Sequence, residues 1–486
     1  MNRFKNPWAA SISSRLKNIN GGMSNKRFRL PFLVFFCMAR DPLREKIMKR
    51  ERNNEDGSIF NNSRKKIRLI IAVMLGSTDF LCAGSAMSEP LVDSRLAEKE
   101  AKSFCDAYRN LGKLYKNLDN PYIQSFSLFG RTHWQFGHVN GSDAFGRDID
   151  YQTADFRRFR LGAKATVFNH FGLKAQAELS NDDIPRGGTT RDVRFQQMWD
   201  MYVTYDARSA LGIQSLETLS FGYGARETHT SYEWHTSSNK LKTVERSALS
   251  NKIWPSNGEF ANATGAWMKF GRSGWYTELG VFTTAQDDFW APWSDGQMYW
   301  VNHQHDLTSV TGADVSTLFL TGYSQNSDSS DPFERLGGGI EWSTSAAFVY
   351  GRDPWQVLVE AVYGSNSEEV SESRQGNYWG FVFLPSIWLV EDKLEGVFRY
   401  QYQGSENPEG IRINSRYARR ADSKFDDVGL LGGRGDEHHA FYLGLKYHFC
   451  KDNIHSLIGV EYDNINRDGQ DIYDGWSVLA TFRTYL

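Results

Sequence analysis

The sequence predicts an all-β fold: a transmembrane, antiparallel, up-and-down barrel of about sixteen strands with a short N-terminal helical segment. Three observations predict it. From about Pro121 the hydrophobic pattern takes a period of two. The links between the alternating runs are short and long by turns. Mean hydropathy stays low, at -0.53, although one face of the runs is apolar. A strand in a barrel wall exposes only every second residue to lipid, so a low average is the expected signature.

The alternation is clearest in three runs. Phe441, Leu443, Leu445, Tyr447 and Phe449 alternate with Tyr442, Gly444, Lys446 and His448. Leu394, Gly396, Phe398, Tyr400 and Tyr402 alternate with Glu395, Val397, Arg399, Gln401 and Gln403. Phe159, Leu161, Ala163, Ala165 and Val167 alternate with Arg158, Arg160, Gly162, Lys164 and Thr166. An apolar face opposite a polar or small one is the mark of a half-buried strand. A soluble sandwich alternates too, so the links decide between them.

Strands are expected at 123–137, 155–168, 171–180, 196–206, 216–226, 262–271, 274–285, 297–303, 314–323, 338–349, 355–364, 377–389, 393–403, 438–449, 455–463 and 475–486. Asn169-His170, Arg272-Ser273, Arg352-Asp353, Glu391-Asp392 and Cys450–Asn453 are tight turns. The links 181–195, 227–261, 286–296, 324–337, 365–376, 404–437 and 464–474 are longer and polar, while 207–215 and 304–313 are of middling length on the short side. Short periplasmic turns and long outer loops are the layout of a membrane barrel; a Greek-key protein has no reason to sort its links by parity. The apolar face of Trp476, Val478, Ala480, Phe482 and Leu486 continues the pattern at the chain end.

Energetics assign the faces. Lys or Arg facing lipid at mid-depth costs roughly 2–4 kcal/mol. Arg158, Arg160, Lys164, Arg399, Lys446 and Arg483 are therefore expected to point into the lumen. Trp199, Tyr205, Trp379, Trp388, Tyr402 and Phe449 fall near strand ends, where an aromatic girdle would sit.

Upstream, the sequence reads as an address. Basic residues at 64–68, an apolar stretch at Leu69–Gly76 and the small residues Gly84-Ser85-Ala86 form a signal peptide over 64–86, the alternative being a buried helix. Residues 1–63 then read as a mis-annotated start or a disordered extension, with Met48 one candidate initiator. Residues 87–120 are expected to be a periplasmic helical segment, since Phe104, Tyr108, Leu111, Tyr115 and Leu118 share one stripe; it packs on the barrel rim or forms an oligomerising coiled coil.

Composition removes other classes. The chain has 486 residues, 43 of them glycine, and 14% aromatics, which suits strands joined by tight turns. Its 56 basic against 58 acidic residues leave a formal charge of -2, which argues against a nucleic-acid partner. Four cysteines exclude a disulfide scaffold and a multi-cysteine zinc site. Cys105 and Cys450 are the two expected in the mature chain, both on the oxidising side, either bonded to each other or as free buried thiols.

Several segments resemble a known family, the phosphate-selective porin O/P family. They are Arg157-Arg158-Phe159-Arg160-Leu161-Gly162-Ala163-Lys164, Trp199-Asp200-Met201-Tyr202-Val203 and Phe441-Tyr442-Leu443-Gly444-Leu445-Lys446-Tyr447. His235-Thr236-Ser237-Ser238, Thr243-Val244-Glu245-Arg246-Ser247 and Asp474-Gly475-Trp476 are similar too. The resemblance covers most of 120–486 and implies a sixteen-stranded homotrimer in the bacterial outer membrane, with a water-filled, anion-preferring pore for phosphate-like or polyphosphate-like solutes and no cofactor. The chain departs from the family at Leu486, where an aromatic residue is usual, and shows no dense basic ladder outside the second strand.

The third outer loop, 227–261, falls where general porins fold a loop into the lumen. Its block from Lys240 to Lys252 is net positive. Lys240, Lys242 and Arg246 are therefore expected to line the narrow region with Arg158, Arg160 and Lys164, and with Arg399 and Lys446 on later strands; rings of basic groups lower the barrier for anions. The bland alternative for the loop is a solvated charged surface. Arg412, Arg416, Arg419, Arg420, Lys424 and Arg434 in 404–437 would steer anions at the mouth or pair with lipopolysaccharide phosphates. Enzyme signatures are missing: His303-Gln304-His305 and His438-His439 lack metal-site spacing and read as exposed histidines, and the Gly-rich segments carry no phosphate-loop Lys. The alternatives kept open are an outer-membrane barrel lipase or protease and a secreted glycan-binding β protein.

Overall fold

In a computed structural model the described residues are 103–180, 193–255, 262–284, 293, 296–327, 339–368, 370–413, 415–425 and 428–486. The expected extension, signal peptide and residues 87–102 lie outside them. Helix α1 (Phe104–Asn110) opens the described chain, capped by the Ser103 side chain accepting from the Asp106 N–H. Strand β1 (Lys113–Lys116) follows, so the helix expected over 87–120 does not continue to its end. An unpaired stretch of strand edge on β2 offers backbone partners that a helix cannot use. Gly112 lets the chain come close enough to take them: a Cβ there would lie 2.2 Å from the Leu128 carbonyl oxygen.

The wall begins with β2 (Ile123–Asp143), β3 (Asp148–Val167), β4 (Phe171–Ser180), β5 (Val193–Asp206) and β6 (Thr218–Ala225). It continues through β7 (Thr264–Arg272), β8 (Trp275–Thr283), β9 (Gly296–Asp306), β10 (Val315–Ser327), β11 (Ile340–Arg352), β12 (Trp355–Asn366), β13 (Gly376–Val390) and β14 (Leu394–Ser405). A minimal hairpin, β15 (Ile411–Arg412) with β16 (Arg434–Gly435), belongs to the next loop. Strands β17 (Glu437–His448), β18 (Ile454–Arg467) and β19 (Gln470–Tyr485) complete the wall. Consecutive wall strands pair antiparallel and β19 pairs with β2, closing a sixteen-stranded barrel. Closure removes both sheet edges, as lipid requires of a spanning sheet; it also rules out the sandwich.

Most strands run beyond their expected ends, β2 and β3 the furthest. They continue past the apolar band as polar hairpin, where the alternation that marks a lipid-facing strand has no reason to persist. The turns expected to be short lie at one end, but 464–474, expected as a long polar link, is mostly strand: at the other end β18 and β19 are joined by Asp468-Gly469 alone, both with positive φ (50° and 75°). Between β3 and β4, Phe168 and Asn169 both take positive φ (49° and 64°), matching the twist of a tight hairpin.

The outward face is apolar and bare: Leu443 is 67% exposed and Leu445 42%, with Phe398, Phe383, Val359 and Leu161 alike. A soluble monomer rarely exposes a patch of more than a few hundred Å², so a surface of this kind needs hydrocarbon. Phe168, Phe171, Trp355, Tyr447 and Phe449 ring the short-turn end, and Tyr299, Tyr363, Trp379 and Trp476 the other. Trp199 and Trp388, expected in the girdle, are inside. A bulge between Gln176/Ala177 and their β5 partners turns Trp199 inward. Trp388 keeps lumenal parity and lies against His448, with ring centroids 5.1 Å apart.

Cys105 of α1 and Cys450 of the β17–β18 turn form a disulfide, joining positions 345 residues apart. It pins the start of the described chain to the short-turn end, where β1 and β19 lie along the same edge of β2.

Candidate functional site

The link from β6 to β7 does not stay outside. It folds into the lumen as a small packed unit around two short helices, α2 (Tyr232–His235) and α3 (Ala248–Lys252), each started by a serine cap, Ser231 and Ser247. Glu233 accepts from the Ser247 N–H at 2.8 Å, and Arg246 donates to the carbonyls of Glu233 (2.8 Å) and Thr236 (3.1 Å) with its guanidinium 3.9 Å above the Trp234 ring. Leu249 and Ile253 are fully buried in this unit against lumenal apolar residues, each worth roughly 1.5–3 kcal/mol of transfer free energy.

The wall holds this loop from several sides. Gln135 of β2 and Arg157 of β3 donate to the Glu245 carboxylate at 2.9 and 2.8 Å. Arg399 of β14 donates to the Glu245 carbonyl at 2.8 Å and pairs with Glu233 and Glu461. Arg483 of β19 donates to the carbonyls of Ser238 (3.0 Å) and Thr243 (3.2 Å). Across the lumen, Glu360 of β12 accepts from the Tyr232 N–H and Gln401 of β14 from the Ala248 N–H, both at 2.8 Å. A loop so anchored is part of the barrel's interior rather than a solvated surface.

The Glu245 carboxyl, in the loop, shows the electrostatics. Burial alone would raise its pKa, but Arg157 and Arg158 outweigh it and hold the carboxyl at about 2.

A second segment enters from the β14–β17 link. Helix α4 (Arg416–Lys424) lies against β2 and β3, with Arg416 and Arg420 both paired to Asp155 of β3, the former at 3.1 Å. Tyr417 packs over Gly137, where a Cβ would meet the ring at 2.1 Å. Arg416 and Arg420 are thus drawn inward by Asp155. The side chain of Lys424 lies outside the described residues. Both inserted segments lie inside the barrel, against its lumenal wall.

The expected site residues separate into three groups. Arg158, buried on the lumenal face, contacts His133 Nδ1 at 3.3 Å. Arg160 pairs with Glu178, its guanidinium 3.1 Å over Trp199. Arg399 and Arg246 are consumed in holding the loop. Lys164 is exposed, directly across from Lys174, towards the short-turn end. Lys240, Lys242 and Lys446 meet elsewhere, around a cavity beneath the loop; Lys242 pairs with Glu395, and Lys446 with Asp452 at 3.2 Å.

Register brings forward residues that the sequence reading did not choose. His133 of β2 sits directly opposite Arg483 of β19 on one side and Arg158 of β3 on the other. Arg131, one lumenal step away, is opposite Arg160. Arg131, Arg158 and Arg483 each lie beyond ion-pair distance of any carboxylate among the described residues. The signal for Arg131 and His133 was present, since both share the lumenal parity of β2. A further bulge at His133/Trp134 sends Arg157 inward as well as Arg158. Like charges across a strand pair repel, so this buried row concentrates positive charge on one side of the barrel interior.

The histidine pairs are not exposed ligands in waiting. His438 is buried, 2.9 Å from Asp463, and His303 bonds Thr277. Among the described residues no group of three or more His, Cys, Asp or Glu could hold a metal ion.

Comparison with known proteins gives a family and a set of barrels. The model of the family described as phosphate-selective porin O and P matches residues 126–305. No curated protein matches the chain. Among solved structures, the anion-selective porin from Comamonas acidovorans is similar at 13% identity and a TM-score of 0.48, covering 74% of this chain and 99% of that one. OprB of Pseudomonas putida is similar at 13% and 0.48, over 74% and 94%. The outer membrane channel DcaP of Acinetobacter baumannii is similar at 12% and 0.45, over 77% and 100%.

Proposed function

We propose that this barrel, a porin by its match to the phosphate-selective porin O and P family over residues 126–305, passes small anions, phosphate among them, across the outer membrane by passive diffusion. The observation that carries the anion preference is the row Arg483–His133–Arg158 with Arg131 beside it: guanidinium groups on the lumenal side of the wall, Arg158 and Arg483 buried, with no carboxylate among the described residues within ion-pair distance. Such groups lower the barrier for an anion, and because each is a single weak site the anion also leaves. In this reading the short-turn end faces the periplasm, the segment 64–86 is cleaved on export, and the barrel assembles as a homotrimer, as the family resemblance implies. N-terminal sequencing and the mass of the detergent-solubilised complex check the last two.

The test of selectivity is the reversal potential in a KCl gradient across a planar bilayer. The native channel is expected to favour chloride. A unit charge about 4 Å away in water is worth about 1 kcal/mol, so Arg158→Gln and Arg131→Gln should each lower the anion/cation ratio roughly five-fold. A native channel that favours potassium, or variants that leave the ratio where it was, defeats the proposal.

A further inference from the structure

The lumen is divided by chemistry. On β2, β3, β14, β17 and β19 its face carries Arg131, Arg158, Arg160, Arg399, Lys446 and Arg483. On β10 to β13 it carries Phe319, Tyr323, Val349, Leu358, Val362, Leu384 and Trp388, with Glu360 the single carboxylate and no Lys, Arg or His among the described residues. Beneath the inserted loop, at the short-turn end, the two halves meet across a cavity of about 500 Å³. Sites for small organic molecules measure roughly 300–1,000 Å³.

One side of this cavity is formed by Val349, Leu358, Leu384 and the face of Trp388. Facing them, the loop presents Lys240. The neighbouring cations are already matched: Lys242 by Glu395, and Lys446 by Asp452 and the Asn239 carbonyl. Lys240 is exposed and makes no ion pair among the described residues. Glu233, which also lines the cavity, is taken up by Arg399, so among the described residues Lys240 is the lining ammonium without an ion pair, opposite an apolar wall.

We propose that this cavity is a binding site for an organic monocarboxylate with an aromatic or branched apolar body, its carboxylate on Lys240 and its body against Trp388, Leu384 and Leu358. The inference rests on the anion-channel reading and narrows its substrate class. A strongly hydrated inorganic dianion would lose water to the apolar wall with Lys240 alone, among the described residues, to replace it, an unfavourable exchange. A carboxylate carrying a ring gains on both sides, since its apolar surface leaves water while its charge keeps a partner.

The test uses the full-length protein in planar bilayers, with benzoate, acetate, inorganic phosphate and benzyl alcohol added separately to a KCl bath. Benzoate is expected to block or add flicker to the current at a concentration ~10-fold below acetate or phosphate, and benzyl alcohol to have no such effect. Lys240→Gln should raise the half-blocking concentration of benzoate ~10-fold, Lys240→Arg should keep it near the native value, and Trp388→Ala should bring benzoate down to the level of acetate. Phosphate blocking as well as benzoate overturns the substrate class while leaving the porin intact, as does a benzoate block indifferent to Lys240→Gln. A folded barrel that carries no KCl current overturns the channel reading and this inference together.

Discussion

Glu245 shows how one side chain can set the state of the lumen. Its carboxylate binds Gln135 and Arg157 on adjacent strands, and its backbone carbonyl binds Arg399 on the opposite flank. Held at about 2 in the folded protein against 4.5 as an ordinary side chain, its ionisation stabilises the loop in full above about pH 4.5. That contribution fades as pH falls through 4 towards 2, because the folded value lies below the free one. Single-channel traces are therefore expected to be quiet at pH 7 and to grow noisy below pH 4. Glu245→Gln should show the same noise already at pH 7, since removing one partner of a buried pair costs about 3–5 kcal/mol. A variant as quiet as the native channel would mean that the remaining tethers suffice.

At the scale of elements, what matters is that two of the long links are interior structure. The β6–β7 loop is fixed by its capped short helices, by its own Glu245 on the wall, and by wall residues such as Arg483 on its backbone carbonyls. Helix α4 is held differently, through two arginines on one carboxylate, Asp155, and a tyrosine seated on Gly137. Asp155→Asn removes the carboxylate that Arg416 and Arg420 share on the wall. It should loosen α4 and raise single-channel conductance, with barrel folding unchanged because Asp155 makes no tether to another wall strand among the described residues. Gly137→Val, which places carbon where Tyr417 sits, is expected to act in the same direction. If neither variant alters conductance, α4 does not obstruct the conducting path.

For the whole molecule, stability comes from closure within a solvent that forces it. The exposed faces of Phe398, Leu443 and Leu445 have no partner in the barrel, and lipid is their complement. Leu445→Arg should cost roughly 2–4 kcal/mol at mid-depth and lower the yield of heat-modifiable barrel. Native Arg399, on the lumenal face of the neighbouring strand, is tolerated. The Cys105–Cys450 bond acts on the unfolded chain. Linking residues 345 apart restricts it more than the 100-residue loop for which the chain-entropy account gives about 4.7 kcal/mol. Reduction, or Cys105→Ser, is expected to lower the temperature at which the barrel unfolds on electrophoresis without preventing assembly. An unchanged midpoint would show that the pairing of β1 and β19 with β2 already supplies that restraint.

The sequence by itself determined most of the wall: sixteen strands, their order, which face meets lipid, and most of the short links, although it took the tight turn at Asp468-Gly469 for a long loop. It could do so because alternation along a strand and the length of a link are local, and lipid penalises a charge on the wrong face at every step. The lumenal placing of Arg158, Arg160, Arg399, Lys446 and Arg483 followed from that penalty alone. Only the tertiary structure decided what these groups do once inside. Bulges at His133/Trp134 and at Gln176/Ala177 shift parity, so Arg157 and Trp199 turn inward against the simple count. Arg399 and Arg246 hold a loop, whereas Arg131 and His133, unremarked in the chain, stand beside Arg158 and Arg483. Register across neighbouring strands and the path of a loop through the lumen depend on residues hundreds of positions apart. Ion pairing at 3 Å is set by that geometry, which no periodicity in the sequence encodes.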